Sequence, residues 1–255
     1  MAEPTFEYDP TQVGREVEIA AHPATRDSIA RYCEVLDERN PLWTDEAQAA
    51  AGPHGGIVAP PMYLAALPAR MTLDPGVRFG NRTFVGGRRL ELFAPVRPGD
   101  QIHIREQLLE PFAKTGRTGT MVFAPRRLSY VNQRDELAGV ALVSTIYRDT
   151  TAVARSDDGP AEEPPHPTSH RHIASDAVLQ YLDDAEVGDE VEREWVATPE
   201  QVRGYMSLTT PASLPAGMPN YFLDEATANS SGLTRPIAQG GLVTAIGVQL
   251  VTSWA

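Results

Sequence analysis

A single cysteine, Cys33, in 255 residues excludes a disulfide framework and leaves no Cys-x-x-Cys pair to hold a metal. Cys33 falls within a helical pattern, where a thiol reads as a small buried hydrophobe. No run of about eighteen apolar residues occurs, which excludes a membrane-spanning helix. Positive charge is also short: 22 Lys and Arg face 34 Asp and Glu, a net charge of −12. Such a field repels polyanions, so neither nucleic acid nor a membrane surface is an expected partner. A ligand bearing a few phosphates needs only a local arginine cluster. The start, Met1-Ala2-Glu3-Pro4, lacks a basic and then apolar signal pattern, and a cytoplasmic location is expected. Hydrophobic residues at 42% and charged residues at 22% are ordinary for a folded chain.

The apolar period changes along the chain. Val13 to Ala20 alternates and predicts a strand. Ile29, Tyr32, Cys33 and Leu36 have helical spacing behind Thr25 and Asp27. Thr44-Asp45-Glu46 opens a short helix over Ala47 to Ala51, which Gly52-Pro53 ends. Pro60-Pro61 suits a first helical turn, and the following Met62 to Leu67 is apolar almost all round, as a buried helix over 60–68 should be. From Thr83 to Arg148 the period is two, with turns at Pro98-Gly99-Asp100, Lys114-Thr115-Gly116 and Asn132-Gln133-Arg134-Asp135. Hairpin-linked strands after one buried helix predict an antiparallel sheet wrapped around that helix.

Ser156 to Thr168 is rich in proline and acid and reads as a linker within 153–170. The plan then restarts: a strand over Val187 to Val196, a helix over Pro199 to Met206, a loop over Pro211 to Asn220, a short helix from Glu225-Ala226, and an apolar helix over 240–254. Gly56-Ile57-Val58-Ala59-Pro60 matches Pro236-Ile237-Ala238-Gln239-Gly240 in position before its helix, so the chain is an internal repeat of 1–152 and 171–255. The second copy stops where the first begins its sheet. Either the chain is a fragment or the remaining strands come from elsewhere.

One stretch bears on chemistry. Leu36-Asp37-Glu38-Arg39-Asn40-Pro41-Leu42-Trp43, followed by Gly55-Gly56-Ile57-Val58-Ala59-Pro60-Pro61, has the shape of an acyl-thioester active-site loop. With it stand Thr44-Asp45-Glu46, Pro95-Val96-Arg97-Pro98-Gly99-Asp100, Lys114-Thr115-Gly116-Arg117 and Asn132-Gln133. In the second copy the matching motifs are Asp224-Glu225-Ala226 and Pro236 to Gly240. In order and spacing these resemble the MaoC-like family of R-specific hydratases and dehydratases over almost the whole chain, the first copy being close to actinobacterial dehydratases. The resemblance implies an α+β double hot-dog fold with an incomplete second repeat. It also implies a catalytic pair: an Asp two residues before the Asn and a His three residues after it. Here Glu38 and Trp43 occupy those positions, and Gly217 and Phe222 stand where the pair would be in the second copy. Neither copy holds the dyad.

A lone carboxylate suits thioester hydrolysis better than hydration, which needs one group for water and another for the α-proton. The leading expectation is a hot-dog thioesterase that releases a bulky acid from its coenzyme A ester, in actinobacterial specialised metabolism such as antibiotic biosynthesis. The alternatives are an enoyl-thioester hydratase or dehydratase, and a silent subunit that stabilises an active partner. Glu38 is the expected general base, with Asp37 its rival in register and Asn40 beside it. Gly56 and Ile57 are expected to supply the oxyanion-facing amide, with Gly240 and Gly241 in the same role in the second copy. Trp43 and Phe222 are expected to wall one apolar pocket, with His54 and Gln239 at the substrate. Among the pairs Arg88-Arg89 and Arg126-Arg127, Arg126 is expected at a phosphate of coenzyme A. No cofactor is expected beyond coenzyme A as part of the substrate, and no metal, since His170 and His172 have no carboxylate cluster. The expected assembly is a homodimer.

Overall fold

Strand β1 (Glu16–Ala24) follows a 3-10 turn at Pro10–Gln12, whose first amide is capped by Asp9. The computed structural model describes residues 5–116, 119–149, 171–173, 189–210, 220–230 and 233–252. The expected linker at 153–170, His170, Gly217 and most of the loop at 211–220 lie outside the described residues. Two compact units interleave along the chain. The first comprises Met1–Pro23, Ala69–Pro95 and Asp100–Glu162, the second Ala24–Pro68, Val96–Gly99 and Glu163–Ala255.

The first unit is a sheet. To β1 it adds β2 (Arg82–Leu92), β3 (Asp100–Leu108), β4 (Phe112–Gly116), β5 (Gly119–Val131) and β6 (Leu137–Arg148), in the order β1-β3-β5-β6-β2, with β4 beside β5. The pairs β2/β6, β3/β5, β4/β5 and β5/β6 are antiparallel, as the period-two pattern predicts. Strand β3 shows that period most plainly, with Asp100, Ile102, Ile104, Glu106 and Leu108 buried and the residues between them half-buried.

Two local features depart from or refine the expectation. Lys114 and Thr115 are not a turn. They pair with Met121 and Thr120, so the reversal falls after Gly116. Phe112 stacks on Phe123 with centroids 5.1 Å apart, and Lys114 lies over both rings, which favours extending the ladder past the expected turn. At the next reversal the Asn132 carboxamide oxygen accepts from the amides of Arg134 and Glu136, and Asp135 takes φ 58. This is the side-chain-stabilised turn that Asn favours.

Charge is buried in the sheet. Glu106 is fully buried; it accepts from the amides of Thr72 (2.7 Å) and Leu73 (3.1 Å) and pairs with Arg126. Arg126 also donates to the Leu73 carbonyl at 2.7 Å. Each Ile or Leu buried alongside contributes roughly 1.5–3 kcal/mol, which offsets the desolvation of the pair only while both charges stay matched.

The second unit holds α1 (Arg26–Leu36), α2 (Pro41–Thr44), α3 (Glu46–Ala51), α4 (Tyr63–Ala66), the short parallel pair β7 (Arg171–Ile173) and β8 (Asp189–Val191), and then α5 (Pro199–Thr209), α6 (Glu225–Ser230) and α7 (Gly240–Thr252). Of the strand expected over 187–196, residues 187 and 188 lie outside the described residues and the rest ends at Val191, where its ladder with β7 ends. The expected helix over 60–68 is one turn. Leu67 precedes Pro68 and is extended (φ −62, ψ 129), the conformation a following proline imposes. Helix α7 meets no such stop. It buries Leu242, Ala245, Ile246 and Gln249 on one face and exposes Val243 and Val251 on the other.

The internal repeat is written in the helix caps. Thr25 accepts from the Ser28 amide and Thr198 from that of Gln201. Asn40 accepts from Leu42 and Asn220 from Phe222. Asp45 accepts from Gln48 and Asp224 from Thr227. Each is the side-chain oxygen that a helix start or tight turn needs for its orphan amides. No helix among the described residues is long and apolar enough to cross a membrane.

Removing one partner of the sheet's ion pair should unfold far more than a surface change would. Arg126→Met strands the Glu106 carboxylate, with an expected loss of about 3–5 kcal/mol. Urea titration followed by circular dichroism measures it, and a loss below about 1 kcal/mol would mean that solvent reaches the pair.

Candidate active site

The site grows from the end of α1. Ile29, Tyr32, Cys33 and Leu36 form its buried stripe, and a capping box of Thr25 and Ser28 fixes its start. Its end is less ordinary. Asp37 adopts a left-handed conformation (φ 53, ψ 43), which a non-glycine residue tolerates best when it is Asp or Asn. The Glu38 amide then reaches back to the Cys33 carbonyl at 2.8 Å, the six-to-one bond of a Schellman ending.

That reversal sorts the two acids. Asp37 is exposed and pairs with Arg39. Glu38 turns inward, 8% exposed, and its Oε1 accepts from the amides of Arg39 (3.0 Å) and Asn40 (3.2 Å). Among the described residues its carboxylate makes no ion pair. Asn40 spends its oxygen on the Leu42 amide, starting α2 with Pro41 in its first turn, and its Nδ2 donates to the Thr252 carbonyl of α7 at 2.8 Å. Trp43 on α2 is buried, and its indole Nε1 has no hydrogen-bond partner among the described residues.

Two cavities border Glu38. The larger, about 930 Å³, runs from Arg31, Val35 and Arg39 past Arg193 to Val196, Gln201 and Gly204, with Ile246 and Gln249 of α7 in its wall. The smaller, about 340 Å³, is walled by Arg26, Ala30, Cys33, Trp43 and Thr44. Glu34, Asp37 and Glu38 line both. In the larger one, Arg31, Arg39 and Arg193 face Glu34, Asp37, Glu38, Glu194 and Glu200. The wall is therefore net acidic and a poor seat for a phosphate.

Neighbouring groups stay neutral. Burial, and next the Glu38 charge, push the Cys33 thiol up to about 12, with Arg26 opposing. Burial also raises the Tyr32 phenol, with the charges of Tyr205 and Glu38 adding to it, and burial raises Tyr63, against its bond to Ser28. A thiolate nucleophile at neutral pH is thereby excluded.

The structure brings Glu38, Asn40 and Trp43 into one loop. Asp37 stands beside them, turned outward. The other expected residues sit apart from the two cavities. His54 is exposed, Gly56 half-buried and Ile57 buried, and none of the three lines either cavity. Phe222 is half-buried against Tyr221, with centroids 4.3 Å apart. Counted from the capping Asn, Phe222 matches Leu42; counted from the capping Asp, it matches Trp43, because the second loop is one residue shorter. Gln239 is buried, its Nε2 3.5 Å from the Val202 carbonyl and its Oε1 without a partner among the described residues. Gly240 is exposed at the start of α7. At Gly241 a Cβ would stand 2.7 Å from the Tyr205 hydroxyl, so a larger residue there would have to displace that side chain. Arg126 belongs to the first unit, within the Glu106 pair, and Arg88 and Arg89 are exposed on β2.

Sequence reasoning missed Arg193, Trp195, Gln201 and Gln249. Of these, only Gln249 left a signal, as an amide in an otherwise apolar helical run.

Comparison with known proteins bears on the fold. A solved MaoC-like dehydratase superimposes with a TM-score of 0.67 at 19% identity, covering 95% of this chain and 78% of its own. A putative MaoC domain dehydratase from Chloroflexus aurantiacus J-10-fl gives 0.55 at 13% identity, covering 94% and 71%. The fold is the double hot-dog of the MaoC-like class. Residues 11–139 match the model of the FAS1-like dehydratase domain region, and the chain belongs to that family. A UPF0336 protein of Parafrankia sp. (strain EAN1pec) is 29% identical over 146 residues, which are 55% of this chain and 87% of that protein.

Cys33 should resist Ellman's reagent at pH 8 in the native protein and react fully once unfolded. Its folded pKa is raised above the ordinary 9.0. The thiol's contribution to stability is therefore complete below about 9 and is lost as pH climbs toward about 12. Unfolding titrations of the wild type and Cys33→Ala across that range check the sign, since the alanine variant should lack this component of the decline.

Proposed function

We propose that the protein hydrolyses the thioester of a bulky acyl-coenzyme A, with Glu38 as general base. The supporting observation is the Glu38 carboxylate itself, buried, unpaired by any cation among the described residues and bordering both cavities. A water held by Glu38 gives up a proton to the carboxylate as its oxygen attacks the thioester carbonyl carbon. The developing oxyanion needs a donor; Trp43 lines the smaller cavity, and its buried indole N–H, unpartnered among the described residues, would serve once a small turn of the ring brings it to the cavity surface. A buried donor left unpaired costs about 1–3 kcal/mol, so a substrate oxygen there would relieve a standing penalty. Collapse of the tetrahedral intermediate breaks the carbon–sulfur bond. The departing thiolate takes back the proton from Glu38, leaving free acid and coenzyme A.

The larger cavity, about 930 Å³, is roomy enough for an extended acyl group. Its acidic wall argues for the phosphates of coenzyme A lying outside it. We also propose self-association as a homodimer; β2 lies at an edge of the sheet, where a second copy would add to the ladder, and exposes Phe84, Val85 and Leu92 there.

Family membership favours a second reading, hydration of an enoyl thioester or its reverse. Incubation with saturated and α,β-unsaturated acyl-coenzyme A esters separates the two. Thiol release signals hydrolysis, loss of enoyl absorbance signals hydration, and the absence of both signals a silent subunit. In the hydrolytic case Glu38→Gln should keep the circular dichroism spectrum and lower turnover on the order of a hundredfold or more, while Glu38→Asp keeps part of the rate. Wild-type turnover in Glu38→Gln would remove Glu38 from the chemistry.

A further inference from the structure

We infer that Gln249 is the positioning residue for Glu38, and that the last turn of α7 sets the aim of the carboxylate. The catalytic part of this inference rests on the function proposed above; the geometric part stands without it.

Gln249 is 4% exposed and spends both ends of its amide. Nε2 donates to the Asp37 carbonyl at 2.8 Å, and Oε1 accepts from Arg193 at 2.9 Å. The Asp37 carbonyl and the Glu38 N–H belong to one rigid peptide plane. That plane is held at its nitrogen by the Cys33 carbonyl, 2.8 Å away, and at its oxygen by Gln249. One turn's length along α7, the Thr252 carbonyl accepts from Asn40, whose own amide donates to the Glu38 carboxylate. Helix α7 thus grips the loop on both sides of Glu38.

The grip matters because Asp37 is left-handed. A non-glycine residue held there is strained by about 1–2 kcal/mol, which favours rotation of the following peptide once its oxygen is released. Rotation would carry the Glu38 side chain away from the Arg39 and Asn40 amides. Arg193 fixes which way the carboxamide faces: its guanidinium can only donate, so the Gln249 oxygen must point to it and the NH₂ to Asp37.

The test has a kinetic arm and a structural arm. In steady-state coenzyme A release, Gln249→Leu should lower kcat by on the order of tenfold to a hundredfold with KM within about twofold, the pattern of a misaimed group. The same change in a Glu38→Gln background should cost nothing further. Equal losses in both backgrounds would show that Gln249 acts independently of Glu38 and would overturn the inference. Gln249→Glu keeps the acceptor for Arg193 and loses the N–H toward Asp37, so it should match the leucine variant even if that variant folds poorly. Wild-type kinetics in Gln249→Glu would equally overturn the inference.

If the wild type releases no coenzyme A, the hydrolytic reading fails by itself and hydrogen exchange decides the positioning. Exchange of the Arg39 and Asn40 amides should accelerate by about tenfold or more in either variant, relative to amides in the middle of α1. Unchanged protection of those two amides would overturn the inference whatever the chemistry.

Discussion

A single peptide plane, between Asp37 and Glu38, governs the candidate site. Its nitrogen closes α1 and its oxygen answers to α7, so the direction of one carboxylate is decided by two helices far apart in sequence. Everything nearby depends on that choice. The exposed acid neutralises Arg39, the buried acid borders both cavities, and Asn40 is left free to start α2 and reach Thr252. A helix ending in glycine would have reversed the chain more cheaply. Aspartate accepts a strained backbone, and the strain is matched by hydrogen bonds from both sides.

The structure holds two buried carboxylates under opposite regimes. Glu106 is paired with Arg126 and bonded to two amides on top of that, so its charge is fully answered and its role is to fasten the Thr72–Leu73 segment to the sheet. Glu38 has amide donors alone among the described residues. Two amides can support a carboxylate without quenching it, because they stabilise the anion yet leave its second oxygen available for a proton. The two acids thus differ in their partners and not in burial, since both are buried.

Much of this was legible in the amino-acid order. The caps Thr25, Asn40 and Asp45, the strict alternation of β3 and the restart after the proline-rich stretch all announce themselves locally, because each depends on residues a few positions apart. The one-turn length of α4 was missed: the apolar run predicted a helix over 60–68, and the extended backbone that Pro68 imposes on Leu67 ends it after Ala66. What could not be read depends on distance. Asp37 and Glu38 are equivalent on paper, and only the left-handed ending of α1 sends one outward and the other inward. Arg126, expected at a phosphate of coenzyme A, instead pairs with Glu106, twenty residues earlier. Gln249 is 212 residues from the carbonyl it holds, and no local pattern encodes such a bond.

The caps also bear on how the two copies diverged. Both keep the Thr, Asn and Asp oxygens that start their helices, but the second copy has one residue fewer between its Asn and its Asp. In a helical or near-helical stretch, one residue is worth about 100° of rotation. The duplicated backbone can therefore superimpose at its caps while its side chains face different neighbours. A one-residue difference in spacing thus keeps the helix starts while it changes which side chains they present.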